Sequence, residues 1–219
     1  MQALQYGSWV IGLGLNLLVI SALLRGTYRQ YPFVLLYSVA LLLSTVVEIA
    51  LRSAPKTVQE DYYWANEIIL DVLVFCLVIA FIDEASHYSR QRPVPRRWLI
   101  LLSALIFCGS FVTHRGSHLN RQMTLVSRDL NICAVILDLV LWSLLMTARR
   151  PNRQLLLLSG GLGLQLTGAI MGESLRHLSH RLFMTGTLLE VTTGFLGLYI
   201  WWRALRRDYP VEHQVNRAA

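Results

Sequence analysis

Charge is scarce in this chain: only 15% of its 219 residues are Asp, Glu, Lys or Arg, against about 25% in a soluble domain. With 54% hydrophobic residues and a mean hydropathy of +0.47, the shortage argues for lipid as solvent. Lysine is almost missing. Lys56 is the only one beside nineteen arginines, a bias that fits a GC-rich bacterial genome better than selection for guanidinium chemistry. Cysteine is limited to Cys76, Cys108 and Cys133, all inside apolar segments, which excludes a disulfide framework or a CxxC metal site and leaves them as small buried hydrophobes. None of the six prolines falls in the middle of an apolar run. The HExxH, GxSxG, Walker A and CxxC signatures are all absent, so no catalytic residue is nominated and no cofactor is implied.

What is present is a series of seven apolar runs: 7–24, 32–51, 62–82, 98–113, 130–146, 155–172 and 182–202. Each approaches or exceeds the roughly 17–25 residues that cross a bilayer, and the fourth is the shortest. The first lacks a basic leader and an A-x-A site, and reads as a retained helix. The expected fold is all-α, a single seven-helix transmembrane domain over 1–207 followed by a tail over 208–219. The net charge of +7 does not point to nucleic acid, because most of the arginine lies in short loops. Thirteen of the twenty basic residues fall in the first, third and fifth loops and the tail, among them Arg25, Arg29, Arg90, Arg92, Arg96, Arg97, Arg149, Arg150, Arg203 and Arg206. The positive-inside rule puts these in the cytoplasm and the N-terminus outside, as expected of a bacterial inner-membrane protein. Tyr62, Tyr63 and Trp64 at one end, and Trp98, Trp201 and Trp202 at the other, are spaced as interfacial anchors.

The polar residues inside the runs repeat. Asn16 and Ser21 of the first run match Asp138 and Ser143 of the fifth; Glu48 and Arg52 match Glu173 and Arg176; Asp71 matches Glu190. These offsets, near 120 residues, suggest a duplicated three-helix unit with the fourth run as linker, a parallel 3+1+3 plan. Leu-rich segments also align by chance; the coincidence of polar positions is the argument for a repeat.

Six carboxylates lie in or at the edges of the runs: Glu48, Glu67, Asp71, Asp138, Glu173 and Glu190. An Asp at a helix centre costs about 2.5–3.5 kcal/mol on translocon scales, so such groups face the bundle interior. With the N-terminus outside, Asn16, Asp71, Asp138 and Glu190 lie about 12–14 Å below the outer surface, and Glu48, Glu67 and Glu173 lie nearer to it. The pattern is a funnel opening outward. Glu67 and Asp71 are one turn apart and repel when both are ionised; a site that takes up a proton or a cation there is what a coupled carrier needs. Glu48 with Arg52, and Glu173 with Arg176, are also spaced for simple helix-end ion pairs. Gly161, Gln165, Gly168 and Gly172 form a stripe suited to close helix packing. A buried hydrogen-bond network that fixes the fold is the competing account of Asp71, Asp138 and Glu190. Four histidines, His114, His118, His177 and His180, fall in two loops of the outer face and are the weak metal candidates.

Microbial rhodopsins are similar in outline but need a lysine in the last helix, and the seventh run has none. Sugar carriers of the SWEET type share the 3+1+3 plan but hinge on helix prolines, where this chain has only Pro32 at a helix entry. Arg29-Gln30-Tyr31-Pro32-Phe33 entering the second run, and Tyr62-Tyr63-Trp64 with Glu67 entering the third, resemble a family of seven-helix membrane proteins of soil bacteria of the acidobacterial type. That resemblance implies an inner-membrane protein and no particular activity. The leading expectation is a carrier or binding protein for a cation or proton-coupled solute, in contact with the bilayer. The alternatives are a seven-helix sensor or an accessory subunit with protein partners or a second copy, and, last, a metal-dependent membrane enzyme.

Overall fold

The computed structural model describes residues 2–88, 119–147, 152–178 and 182–206, together with 101, 105, 108–110, 112 and 113. Among them every regular element is helical. The six long helices are α1 (Gln2–Leu24), α2 (Pro32–Ala50), α3 (Lys56–Tyr88), α4 (Leu119–Thr147), α5 (Arg153–Leu178) and α6 (Phe183–Arg206). All six are long and apolar enough to cross a membrane, which fits a multi-pass membrane protein. The fourth apolar run, at 98–113, falls largely outside the described residues, as does the tail at 208–219.

Local chemistry explains the helix ends. Gly26 at φ 144° turns the chain after α1, a conformation that side-chain-bearing residues avoid. Pro32 opens α2, where its missing N–H is no loss. The Gln59 side chain donates to the carbonyls of Leu51, Arg52 and Ala54, tying α3 to the end of α2. The Asn152 carboxamide oxygen accepts from the N–H groups of Gln154 and Leu155, an N-cap on α5. Two helices outrun their apolar segments. The third run, expected over 62–82, sits in a helix of 33 residues, and the fifth, expected over 130–146, in one of 29. At about 1.5 Å per residue α3 is about 50 Å long, well beyond a hydrocarbon layer of about 30 Å; good helix formers such as Gln59 and Glu60 carry it past the apolar segment.

The helices close a ring in chain order, each packed on the next and α6 on α1. Large apolar side chains face outward around it, including Val10, Leu17, Leu36, Leu43, Ile69, Ile136, Leu139, Leu188 and Leu196. So large an exposed apolar surface needs lipid to cover it. The two ends of the ring differ. Val19, Leu23, Val34, Leu77, Val78, Leu141, Leu155, Leu158 and Trp201 are fully enclosed, and they form one cluster that seals the end where α1, α3, α4 and α6 finish. The opposite end is open.

The α5–α6 seam is the tightest. A side chain on Gly172 would lie 2.7 Å from the Gly186 carbonyl oxygen, and one on Gly161 3.1 Å from that of Gly197. Small residues let the two backbones meet, which is how helices associate where lipid removes the hydrophobic drive. The glycine stripe is packing.

Candidate functional site

Each helix contributes one stripe to a chamber at the open end of the ring. From α1 come Trp9 and Gly12; from α2, Tyr37, Leu41 and Thr45; from α3, Glu67, Leu70, Asp71 and Val74. Asn131 of α4, Gln165, Leu166 and Ala169 of α5, and Glu190, Gly194, Phe195 and Leu198 of α6 also line it. These positions recur at three and four residues, so each set lies on one helix face. The chamber holds about 430 Å³. A wider vestibule of about 780 Å³ adjoins it, walled by Glu48, Arg52, Lys56, Gln59, Tyr62 and Trp64. Trp9 and Glu67 line both spaces, so the two share a wall. The floor is aromatic: the Tyr37 ring meets Trp201 edge-on at 5.8 Å. Below it Trp201 is fully buried, and its indole N–H donates to the Leu158 carbonyl at 2.7 Å.

The three chamber carboxylates are in different states. Asp71 is only 6% exposed, and its Oδ2 atom has no hydrogen-bond partner among the described residues. Glu67 accepts a hydrogen bond from the Ser127 hydroxyl at 3.1 Å, and the Asn131 side chain donates to the same hydroxyl at 3.5 Å. Glu190 is paired with Arg176 of α5. Gln165 adds a buried amide nitrogen without an acceptor. An orphaned carboxylate oxygen on α3 and an orphaned amide nitrogen on α5 are expensive to hide from water. Among the described residues that line the chamber there is no Lys, Arg or His.

Other residues singled out by the sequence lie elsewhere. Asp138 is buried between α4 and α5, where its Oδ1 accepts from the Ser159 hydroxyl at 3.1 Å, and it does not line the chamber. Asn16 is equally buried and donates to the Ser38 carbonyl at 2.9 Å. Glu48 is in the vestibule wall. Glu173 is half-buried on α5 and belongs to neither wall. Beyond the helix-end pair expected from the i, i+3 spacing of Glu173 and Arg176, Arg176 reaches Glu190 on α6. His114, His118 and His180 fall outside the described residues, as does the side chain of His177. Among the described residues no group of three His, Cys, Asp or Glu is placed to hold a metal ion.

Trp9, Tyr37 and Asn131 were not evident as site residues from sequence, and Gln165 looked like part of the packing stripe. One signal was available: Trp9, Gly12 and Asn16 fall at i, i+3 and i+7, on the interior face that Asn16 already marked. Comparison with known families, characterised proteins and solved structures yields no match, so the chamber is interpreted from its own chemistry.

Proposed function

We propose that the protein is a seven-helix carrier-like protein of the bacterial inner membrane that takes up a cationic solute from outside through its acidic chamber. The observation that carries this reading is Asp71: a carboxylate buried at 6% exposure with an unpartnered oxygen, on the wall of a chamber open at one end only. A buried acid in a membrane protein marks an ion or proton path by default.

What supports the count of seven is connectivity. The third helix finishes at the sealed end and the fourth begins at the vestibule end, beside Glu67, and the fourth apolar run lies between them in sequence. What supports the duplication is the order of neighbours, in which α1, α2 and α3 stand opposite α4, α5 and α6. It also draws on two matching contacts, Asn16 with Ser38 and Ser159 with Asp138, each joining the first helix of a half to its second. The arginine asymmetry favours an outward-facing vestibule. A reporter fused after Arg207 should behave as cytoplasmic and a tag before Gln5 as periplasmic; opposite signals would turn the chamber inward.

The test of function is cation binding by the protein in lipid nanodiscs, followed through tryptophan fluorescence, since Trp9 lines the chamber. Replacing Asp71 with Asn should abolish the cation-dependent change and leave the helical circular-dichroism spectrum intact. An unchanged titration in the variant would leave Asp71 with a structural role only.

A further inference from the structure

The chamber also carries information about what kind of cation fits. Three features argue against a bare metal ion. Divalent ions need about six oxygen ligands at about 2.0–2.6 Å, and among the described residues the acids do not converge in that way. Alkali ions in membrane carriers are held by carbonyls of unwound helices, whereas the helices around this chamber run unbroken past it, so their carbonyls are taken by their own N–H groups. Lastly, about 430 Å³ is room for some fourteen waters at about 30 Å³ each, far more than a dehydrated metal ion fills.

Three features argue for a cation with an organic body. Much of the wall is aromatic and aliphatic, with Tyr37 and Phe195 beside Leu41, Val74 and Leu198; aromatic faces attract ammonium groups, and aliphatic walls suit a hydrocarbon body. Of the acids, Glu190 is already neutralised by Arg176, leaving Asp71 and Glu67, one turn apart on α3, to face one positive head. Asp71 lines the chamber, and turning its enclosed, unpartnered Oδ2 toward a ligand supplies the acceptor that an ammonium N–H requires.

We infer that the chamber binds a small organic ammonium ion, its charged head at Asp71 and Glu67 and its carbon body against Tyr37, Phe195 and the aliphatic wall. This rests on the carrier reading above and narrows it to one class of solute. The full chain in nanodiscs would be titrated at constant ionic strength with n-butylammonium, with sodium, potassium and magnesium chlorides, and with n-butanol as the uncharged counterpart. The expected result is saturable binding of n-butylammonium, at least tenfold tighter than that of any metal ion or of butanol, and weakened at least tenfold in Asp71→Asn. Glu67→Gln, which keeps a hydrogen-bond acceptor for Ser127, should weaken it too and serves if the first variant does not fold. Saturable binding of a metal ion with none of n-butylammonium would overturn the inference and keep the acidic carrier. Equal binding of butanol would reduce the chamber to an apolar cavity, and no binding of any cation by folded protein would overturn both readings.

Discussion

The sealed end and the open end of this bundle are built from the same helices by opposite means. At the sealed end, Leu23, Leu77, Leu141, Leu155 and Trp201 leave no exposed surface, and a crevice there, near Tyr31 and Phe81, holds about 40 Å³. At the open end the same helices carry Glu67, Asp71, Gln165 and Glu190 around a chamber ten times larger. In lipid, apolar groups gain little by leaving the hydrocarbon, and association rests on close packing and hydrogen bonds. A bundle therefore holds together where side chains interlock, and it can afford polar, underpacked walls only where another region does the holding. Stability should concentrate at the sealed end and ligand recognition at the open one.

Trp201→Ala should break the comparison most strongly. It empties a fully buried site, removes the hydrogen bond to Leu158 and takes away the ring on which Tyr37 rests. Truncating a buried Trp costs about 3–5 kcal/mol in water-soluble cores; lipid lowers the transfer part, so about 2–4 kcal/mol is expected here. Thermal unfolding in nanodiscs should show a large loss. A variant as stable as the parent would mean that the floor does not hold the helices together.

Gly172→Val tests the α5–α6 seam near the vestibule. The new Cβ would meet the Gly186 carbonyl at 2.7 Å and Glu190 Cβ at 3.1 Å, and a backbone oxygen cannot swing aside. The expected loss is about 1–3 kcal/mol, measured by the same unfolding experiment. Wild-type stability would show that the two helices separate freely there.

Asp71→Leu should act in the opposite direction. A buried carboxylate with one unpartnered oxygen is a burden on the fold, and a side chain of similar shape without that atom relieves it. The variant should be as stable as the parent or up to about 2 kcal/mol more stable, while cation-dependent fluorescence disappears. A destabilised Asp71→Leu protein would mean that the carboxylate's interactions with its neighbours outweigh the cost of hiding it, and would weaken the case for a ligand.

Sequence alone carried the fold a long way, and the reason is physical. Crossing a bilayer demands long apolar runs, which can be counted, and hiding an acid in one demands an interior position, so the depth of Asp71 and Asp138 already indicated burial. What could not be read was helix rotation. Asp138 and Asp71 lie at similar depth, yet one turns into the α4–α5 interface and meets Ser159, while the other turns into the chamber. The apolar runs are hydrophobic on every face, so periodicity gives no indication of which side looks inward. The extents of α3 and α4 were underread for a different reason, since a helix continues wherever propensity allows after the apolar run ends.

The smallest expected effect on stability, and the sharpest use of the comparison, lies at Arg176. Local spacing pointed its charge at Glu173, three residues away on the same helix, and its guanidinium also reaches Glu190 across the seam. Both side chains are partly solvated, at 28% and 39% exposure, and pairs of that kind contribute below about 1 kcal/mol. Arg176→Gln should therefore barely change unfolding. It should change binding, because it releases Glu190, whose side chain lines the chamber, as an unneutralised carboxylate facing the same space as Glu67 and Asp71. Affinity for a cationic probe should rise several-fold in Arg176→Gln and return to the parental value in the double variant Arg176→Gln, Glu190→Gln. A large loss of stability with no change in affinity would make the pair a structural clasp, and the chamber's charge would then rest on α3 alone.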